Sequence, residues 1–173
     1  MKYLSLFSGI EACSVAWKPL GWDCVAVSEI EKFPCQVLNY HYPNVPNLGD
    51  VTKITEDQIK SLGQIDLVVG GSPCQDLSVA GKRKGLTNAD GTVTRSGLFY
   101  TQYNIFKWAQ KHCEARFLLW ENVPGAFSSS KGRDFASVVE LMAGLDDVEV
   151  PENGWGGGRR CVGGQWFARM GHS

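Results

Sequence analysis

Cysteine pairs at metal-binding or redox spacing are missing. The six cysteines stand at 13, 24, 35, 74, 113 and 161, with no two arranged as CxxC, which excludes a zinc knuckle or a dithiol motif and leaves no metal site to propose. Histidine is scarce, at 41, 112 and 172 only. An excess of charge of one sign is also lacking. Seventeen basic and 18 acidic residues leave a net charge of −1, so any contact with phosphate must come from a local cluster rather than from the whole surface. No apolar run approaches the roughly 20 residues that span a bilayer. The apolar part of Met1 to Phe7 is too short for a signal peptide and no small-residue cleavage site follows it, so a cytoplasmic setting with free thiols is expected. The full G-x-G-x-x-G fingerprint is absent as well, which disfavours a dinucleotide ligand.

What is present is an ordinary globular composition, 43% hydrophobic and 20% charged, in a chain of 173 residues. That length suits one domain and is short for an enzyme that must also hold a large polymer. The pattern predicts a strand over 2–7, a helix over 11–19 with Glu11 in its first turn, a strand over 23–28 and a helix over 31–41. A short extended piece over 48–51 leads to a helix capped by Thr55, and strands follow over 65–70 and 116–120. Helices are expected over 97–112 and 135–144, with one more strand over 146–150. Strands alternating with helices indicate an α/β fold with a mostly parallel sheet and helices on both faces. From Pro151 the composition changes to scattered glycines, so a domain over 1–150 and a glycine-rich, poorly ordered tail over 151–173 are expected.

Two strand ends offer chemistry. Ile65 to Ser72 runs out into Pro73-Cys74-Gln75, which presents a thiol outside the carboxyl end of a buried strand, where open α/β sheets place their ligands. Phe117 to Trp120 ends in Glu121-Asn122-Val123, a strand-end acid suited to donating a proton. Single residues of this kind are weak signals, since a free cysteine is usually a small buried hydrophobe. A third signal is the ordered set Gly9, Glu29 and Asp50. Gly9 allows a ligand close to the backbone, Glu29 follows about 20 residues later where a carboxylate takes ribose hydroxyls, and Asp50 could accept from an adenine amino group. A nucleoside without a pyrophosphate fits that set. The long polar loop over 72–95 carries Lys82-Arg83-Lys84 and closes at Arg95.

Phe7-Ser8-Gly9, Glu29, Asp50, Gly71-Ser72-Pro73-Cys74-Gln75, Arg95-Ser96-Gly97-Leu98-Phe99 and Glu121-Asn122-Val123 occur in the order and approximate spacing of the DNA cytosine-5 methyltransferases. The chain resembles that family over residues 2–145, especially the Dcm-like enzymes of phages and bacteria. The resemblance implies a Rossmann-like S-adenosylmethionine-dependent fold and methyl transfer to C5 of cytosine in double-stranded DNA, in restriction-modification or phage DNA protection. It implies that Cys74 attacks C6 of a flipped cytosine, that Glu121 holds and protonates N3, and that Asn122 supports Glu121. Phe7, Ser8, Gly9, Ile10, Glu29, Ile30, Asp50, Val51, Pro73 and Leu98 are the implied cofactor residues. Gln75, Ser78, Lys82, Arg83 and Arg95 are the implied DNA contacts.

The family's later Gln-Arg-Arg motif and its target-recognition domain find no match: Arg159-Arg160 follows Gly158, not glutamine. A truncated gene product, or a frameshift near residue 155, is the expectation drawn from that break. An S-adenosylmethionine-binding remnant, or a module completed by a complementing chain, is the competing reading. A cysteine hydrolase would want a histidine near Cys74, and none of the three stands in a recognisable position.

Overall fold

A computed structural model describes residues 1–72, 95–155, 161–163 and 166–168. They divide into two units, Met1–Ser72 with Leu98–Glu121, and Pro73–Gly97 with Asn122–Ser173.

The first unit is built on four parallel strands, β1 (Lys2–Leu6), β2 (Asp23–Ser28), β3 (Leu67–Gly70) and β4 (Phe117–Trp120), in the order β2-β1-β3-β4. Parallel neighbours need long crossovers. These run through α1 (Ala12–Trp17), α2 (Lys32–His41), α3 (Glu56–Ser61) and α4 (Arg95–Cys113). Parallel strands are apolar on both sides because both are covered. Tyr3, Leu67 and Val69 pack with Cys13, Trp17, Trp22 and Cys24. Leu4, Leu6, Val68, Phe99, Ile105 and Phe106 are all buried to 1% exposure or less, each worth roughly 1.5–3 kcal/mol relative to exposure. On β2, the Val27 N–H donates to Pro46 and the Val27 carbonyl accepts from Leu48, so residues 46–48 close the outer edge of the sheet.

The sequence expectations meet this frame closely but not everywhere. β1 stops at Leu6 because Phe7 turns left-handed at φ 53°. The helix expected over 11–19 is α1 alone, followed by a 3-10 turn over Lys18–Leu20 that contains Pro19. Thr55 caps α3 as expected, and Gln58 returns the bond to complete a capping box. The extended piece sits at 46–48 rather than 48–51, where Val51–Lys53 forms a 3-10 turn.

In the second unit α5 (Arg133–Ala143) buries Phe135, Ala136, Val138 and Val139. Asp134, in its first turn, is also buried and accepts from the hydroxyls of Ser129 and Ser130. No strand forms over 146–150. Asp147 is left-handed at φ 53°, the Val148 N–H donates to the Glu140 carboxylate and its carbonyl accepts from Arg133, so α5 side chains take the groups that a ladder would need. Trp155, which composition assigns to the tail, packs edge-on against Phe135 at 5.0 Å and donates to the Gly132 carbonyl at 2.7 Å. Further along, where no strand periodicity is visible, β5 (Cys161–Gly163) and β6 (Trp166–Ala168) pair antiparallel.

Candidate active site

The carboxyl ends of β1 and β2 are laced together by one serine. Ser8 donates its backbone N–H to the Ser28 carbonyl at 3.1 Å, its hydroxyl reaches the Ser5 carbonyl at 2.9 Å, and the Ser28 N–H donates to that hydroxyl at 3.1 Å. Ser8 is thereby committed to the frame. Phe7 and Gly9 are both left-handed, at φ 53° and 54°, and the resulting turn aims the Gly9 N–H at Glu29. That bond, 2.8 Å to Oε2, joins the first two members of the predicted set.

Glu29 is held from its other side as well. Its Oε1 accepts the N–H groups of Ile30 and Glu31 at 2.7 and 2.8 Å, which fills that oxygen and leaves acceptor capacity on Oε2 for a ribose hydroxyl. Asn47, which the sequence reading passed over, clamps the same place. Its Oδ1 accepts from the N–H groups of Glu29 and Gly49, and its Nδ2 donates to the Glu29 carbonyl. The Ser28 hydroxyl donates to the Gly49 carbonyl at 2.6 Å. The segments carrying Gly9, Glu29 and Asp50 are therefore tied to one another by hydrogen bonds.

Asp50 has a local duty. Its Oδ1 accepts the hydroxyl and N–H of Thr52 at 2.7 and 2.9 Å, and these hydrogen bonds hold the carboxyl below its ordinary range. Oδ2 remains for a ligand donor, 3.7 Å from the Lys53 ammonium. The Val51 side chain is buried, so only its backbone can serve a ligand. Ile10 and Ile30 are exposed at 56% and 66%, as apolar contacts for a bound group must be. Leu98 is half-buried near the start of α4.

At the ends of β3 and β4 the second motif takes shape. Gly70 accepts the Glu121 N–H at 3.1 Å, and the Trp120 indole donates to the Ser72 hydroxyl at 2.8 Å. Gln102, fully buried on α4, donates to the carbonyls of Gly70 and Leu119 at 3.2 and 3.3 Å, pinning the two strand ends. Its signal in the sequence is a polar residue on the apolar face shared by Phe99, Phe106 and Ala109. Glu121 itself is exposed, with Oε2 directly over Gly71. Asn122 accepts the Val123 N–H at 2.9 Å. Pro73, Cys74, Gln75, Ser78, Lys82 and Arg83 lie outside the described residues, and Arg95 is described only as the first residue of α4.

Glu11 does not stand where the sequence pattern puts it. Instead of standing in the first turn of α1 it precedes the helix, left-handed at φ 66°, with its carboxylate folded inward. Among the described residues no cluster of three His, Cys, Asp or Glu side chains could hold a metal ion, and no helix is long and apolar enough to cross a membrane.

Residues 1–146 match the C-5 cytosine-specific DNA methylase family. A protein of Escherichia phage P1, named as a DNA N-6-adenine-methyltransferase, is 36% identical over 178 residues, covering 95% of this chain and 23% of its own length. That coverage necessarily runs past residue 155. An orphan methyltransferase of Bacillus phage SPR is 37% identical over 83% of this chain and 31% of its own. A type II methyltransferase of Picosynechococcus is 31% identical, with 80% and 54% covered. The chain thus spans between about a quarter and a half of these relatives. Among solved structures, a DNA modification methyltransferase encoded within an Escherichia coli prophage superposes with a TM-score of 0.62 at 23% identity, covering 83% of this chain and 38% of that one. The Dnmt2 methyltransferase of S. pombe gives 0.59 at 21% identity, with 83% and 42% covered. These likenesses establish a Rossmann-like methyltransferase fold, and this chain covers 38% and 42% of the two solved chains.

Proposed function

We propose, from the premise that this chain belongs to the C-5 cytosine-specific DNA methylase family, that it carries the cofactor end and the catalytic pair of a DNA cytosine-5 methyltransferase. The observation that supports this reading is the Glu121 carboxylate over Gly71, because Gly71 is the first residue of the Gly71 to Gln75 motif in the sequence. The adenine in the phage P1 relative's name belongs to a protein of which this chain matches 23%.

S-adenosylmethionine, when bound, supplies an electrophilic methyl group. The residues present fit it: Glu29 Oε2 keeps acceptor capacity for a ribose hydroxyl, Asp50 Oδ2 for an adenine amino group, and Phe7, Ile10 and Ile30 offer apolar surface. Ser8 holds the frame of the turn, Gly9 and Val51 serve through backbone, and Pro73 and Leu98 are assigned to the pocket by the resemblance to the family.

Cys74 as thiolate adds to C6 of a cytosine turned out of double-stranded DNA, while Glu121 holds N3 and gives it a proton, so the ring does not accumulate charge and C5 becomes nucleophilic. Loss of the C5 proton to solvent, return of the N3 proton to Glu121 and departure of the Cys74 sulfur as thiolate restore the ring. Asn122 supports Glu121, and Gln75, Ser78, Lys82, Arg83 and Arg95 meet the DNA. Such a protein works in the cytoplasm of a bacterial or phage-infected cell, in restriction-modification or in protection of phage DNA.

The test is incubation with DNA containing 5-fluorocytosine and S-adenosylmethionine, which blocks release of the cysteine. A covalent adduct formed by the wild-type chain and not by Cys74→Ser supports the reading, and identical behaviour of the two refutes catalysis by this polypeptide. A second reading is a module that binds the cofactor and does not catalyse by itself. Cofactor binding without an adduct would select it.

A further inference from the structure

We propose that Glu11 is a positioning residue for the cofactor turn, an inference that rests on the cofactor reading of Gly9 and Glu29. Phe7, Gly9 and Glu11 are left-handed in alternation, at φ 53°, 54° and 66°. Gly9 adopts this backbone without steric cost, whereas Glu11 does not, and a glycine at position 11 would carry the same conformation more easily. The position is therefore held for its side chain.

That side chain is 1% exposed. Oε1 accepts from the Tyr3 hydroxyl at 3.1 Å and from the Ser14 hydroxyl at 3.3 Å, and those two hydroxyls lie 2.7 Å apart. Tyr3 is buried in β1 and Ser14 stands in α1, so one carboxylate fastens the end of the turn to both the strand before it and the helix after it. Oε2 is buried and accepts no hydrogen bond from any described residue, a desolvation cost that an apolar side chain of the same size would avoid.

The geometry bears on Gly9. Ser8 anchors one side of it to the main chain of Ser28, and the Glu11 N–H donates back to the Ser8 carbonyl at 2.8 Å. Gly9 is thus suspended between two fixed residues with its N–H directed to Glu29 Oε2 at 2.8 Å. Without the anchor at 11, a glycine flanked by exposed Ile10 regains its conformational freedom, and the bond that joins the ends of β1 and β2 loosens. Glu11 acts through Gly9 and Glu29, and its effect is preorganisation.

The experiment compares the wild-type chain with Glu11→Gly, Glu11→Gln and Tyr3→Phe. Three readouts are taken: the Gly9 amide resonance of nitrogen-15-labelled protein without cofactor, the dissociation constant for S-adenosylmethionine, and the thermal midpoint. Glu11→Gly is expected to shift the Gly9 resonance and to weaken binding by roughly tenfold, with Tyr3→Phe moving both in the same direction by less. Glu11→Gln keeps an acceptor for Tyr3 and is expected to stay within about threefold of wild type. A lowered midpoint with unchanged resonance and unchanged binding overturns the proposal, because that is what a purely structural residue gives. Glu11→Gln binding as weakly as Glu11→Gly also overturns it. Should Glu11→Gly fail to fold, Tyr3→Phe decides by the same readouts. Should the wild-type chain bind no S-adenosylmethionine, the cofactor reading fails, and the Gly9 resonance alone decides the positioning role.

Discussion

Oε2 of Glu121 lies 2.6 Å from the point where a β-carbon on Gly71 would stand. The acid at the end of β4 occupies space that only glycine at the end of β3 leaves open. Because Gly71 also begins the segment leading to Cys74, the absence of one methyl group links the two motifs that carry the proposed chemistry.

Gly71→Ala separates stability from reaction. The atom in the way is the end of a flexible, exposed side chain, so Glu121 swings aside and the fold loses less than about 1 kcal/mol. The carboxylate is then misplaced, and adduct formation on 5-fluorocytosine DNA is expected to slow by on the order of 100-fold. Urea midpoint and adduct rate, measured on the same preparation, check the two halves. A normal rate would remove Glu121 from the proposed role.

Gly70→Ala makes the contrasting case one residue earlier. Here the added carbon meets the Leu6 carbonyl and the Gln102 amide, each at 3.0 Å, and neither can swing into solvent because Leu6 Oxygen is backbone and Gln102 is fully buried. Overpacking of this kind costs roughly 1–3 kcal/mol. The urea midpoint is expected to fall clearly for Gly70→Ala and hardly for Gly71→Ala. Equal shifts would contradict the packing described around Gln102.

The strands and helices were legible where local chemistry and tertiary demand agree. Thr55 and Gln58 make a capping box that depends on four consecutive residues, and Val68-Val69 is apolar because both faces of a parallel strand are covered. Asp146 to Val150 alternates like a strand, yet its backbone groups go to Glu140 and Arg133, partners that no alternation reveals. The meeting of Gly9 and Glu29 was legible by spacing alone, and a hydrogen bond joins them. Glu11 was not, since an acid before a helix reads first as a partner for the helix dipole. Its true partner, Tyr3, lies eight residues back across a turn.

Alkaline pH should destabilise the first unit through its half-buried thiols. Burial first, then the negative charge of Glu11, pushes the Cys24 thiol up to about 12 and Cys13 up to about 11. A group whose folded value is raised holds its proton more tightly when folded, so its contribution is complete below the ordinary thiol value near 9.0 and is lost as pH rises toward 11–12. Burial raises Tyr3 in the same sense, from an ordinary 10.0. The urea midpoint is therefore expected to be level up to pH about 9 and to decline above it. Cys24→Ala should flatten the first part of that decline while leaving the part due to Tyr3. A midpoint independent of pH between 9 and 11 would place both thiols in contact with water.

Gly132→Ala tests whether residues beyond the matched family region belong to the second unit's core. Gly132 is left-handed at φ 86°, and a β-carbon on it would stand 2.9 Å from the Trp155 ring and 2.9 Å from a Val150 methyl. Backbone strain and overpacking act together, for a cost of roughly 2–5 kcal/mol. The Trp155 indole, which donates to the Gly132 carbonyl and rests on Phe135, must also give way. Amide hydrogen exchange in α5 is expected to accelerate by at least about tenfold, as the local opening energy falls. In a Trp155→Ala background the clash with the ring is gone, and the same substitution should cost distinctly less. Equal costs in the two backgrounds would mean that Trp155 is not seated on Gly132, and that the core of this unit closes without it.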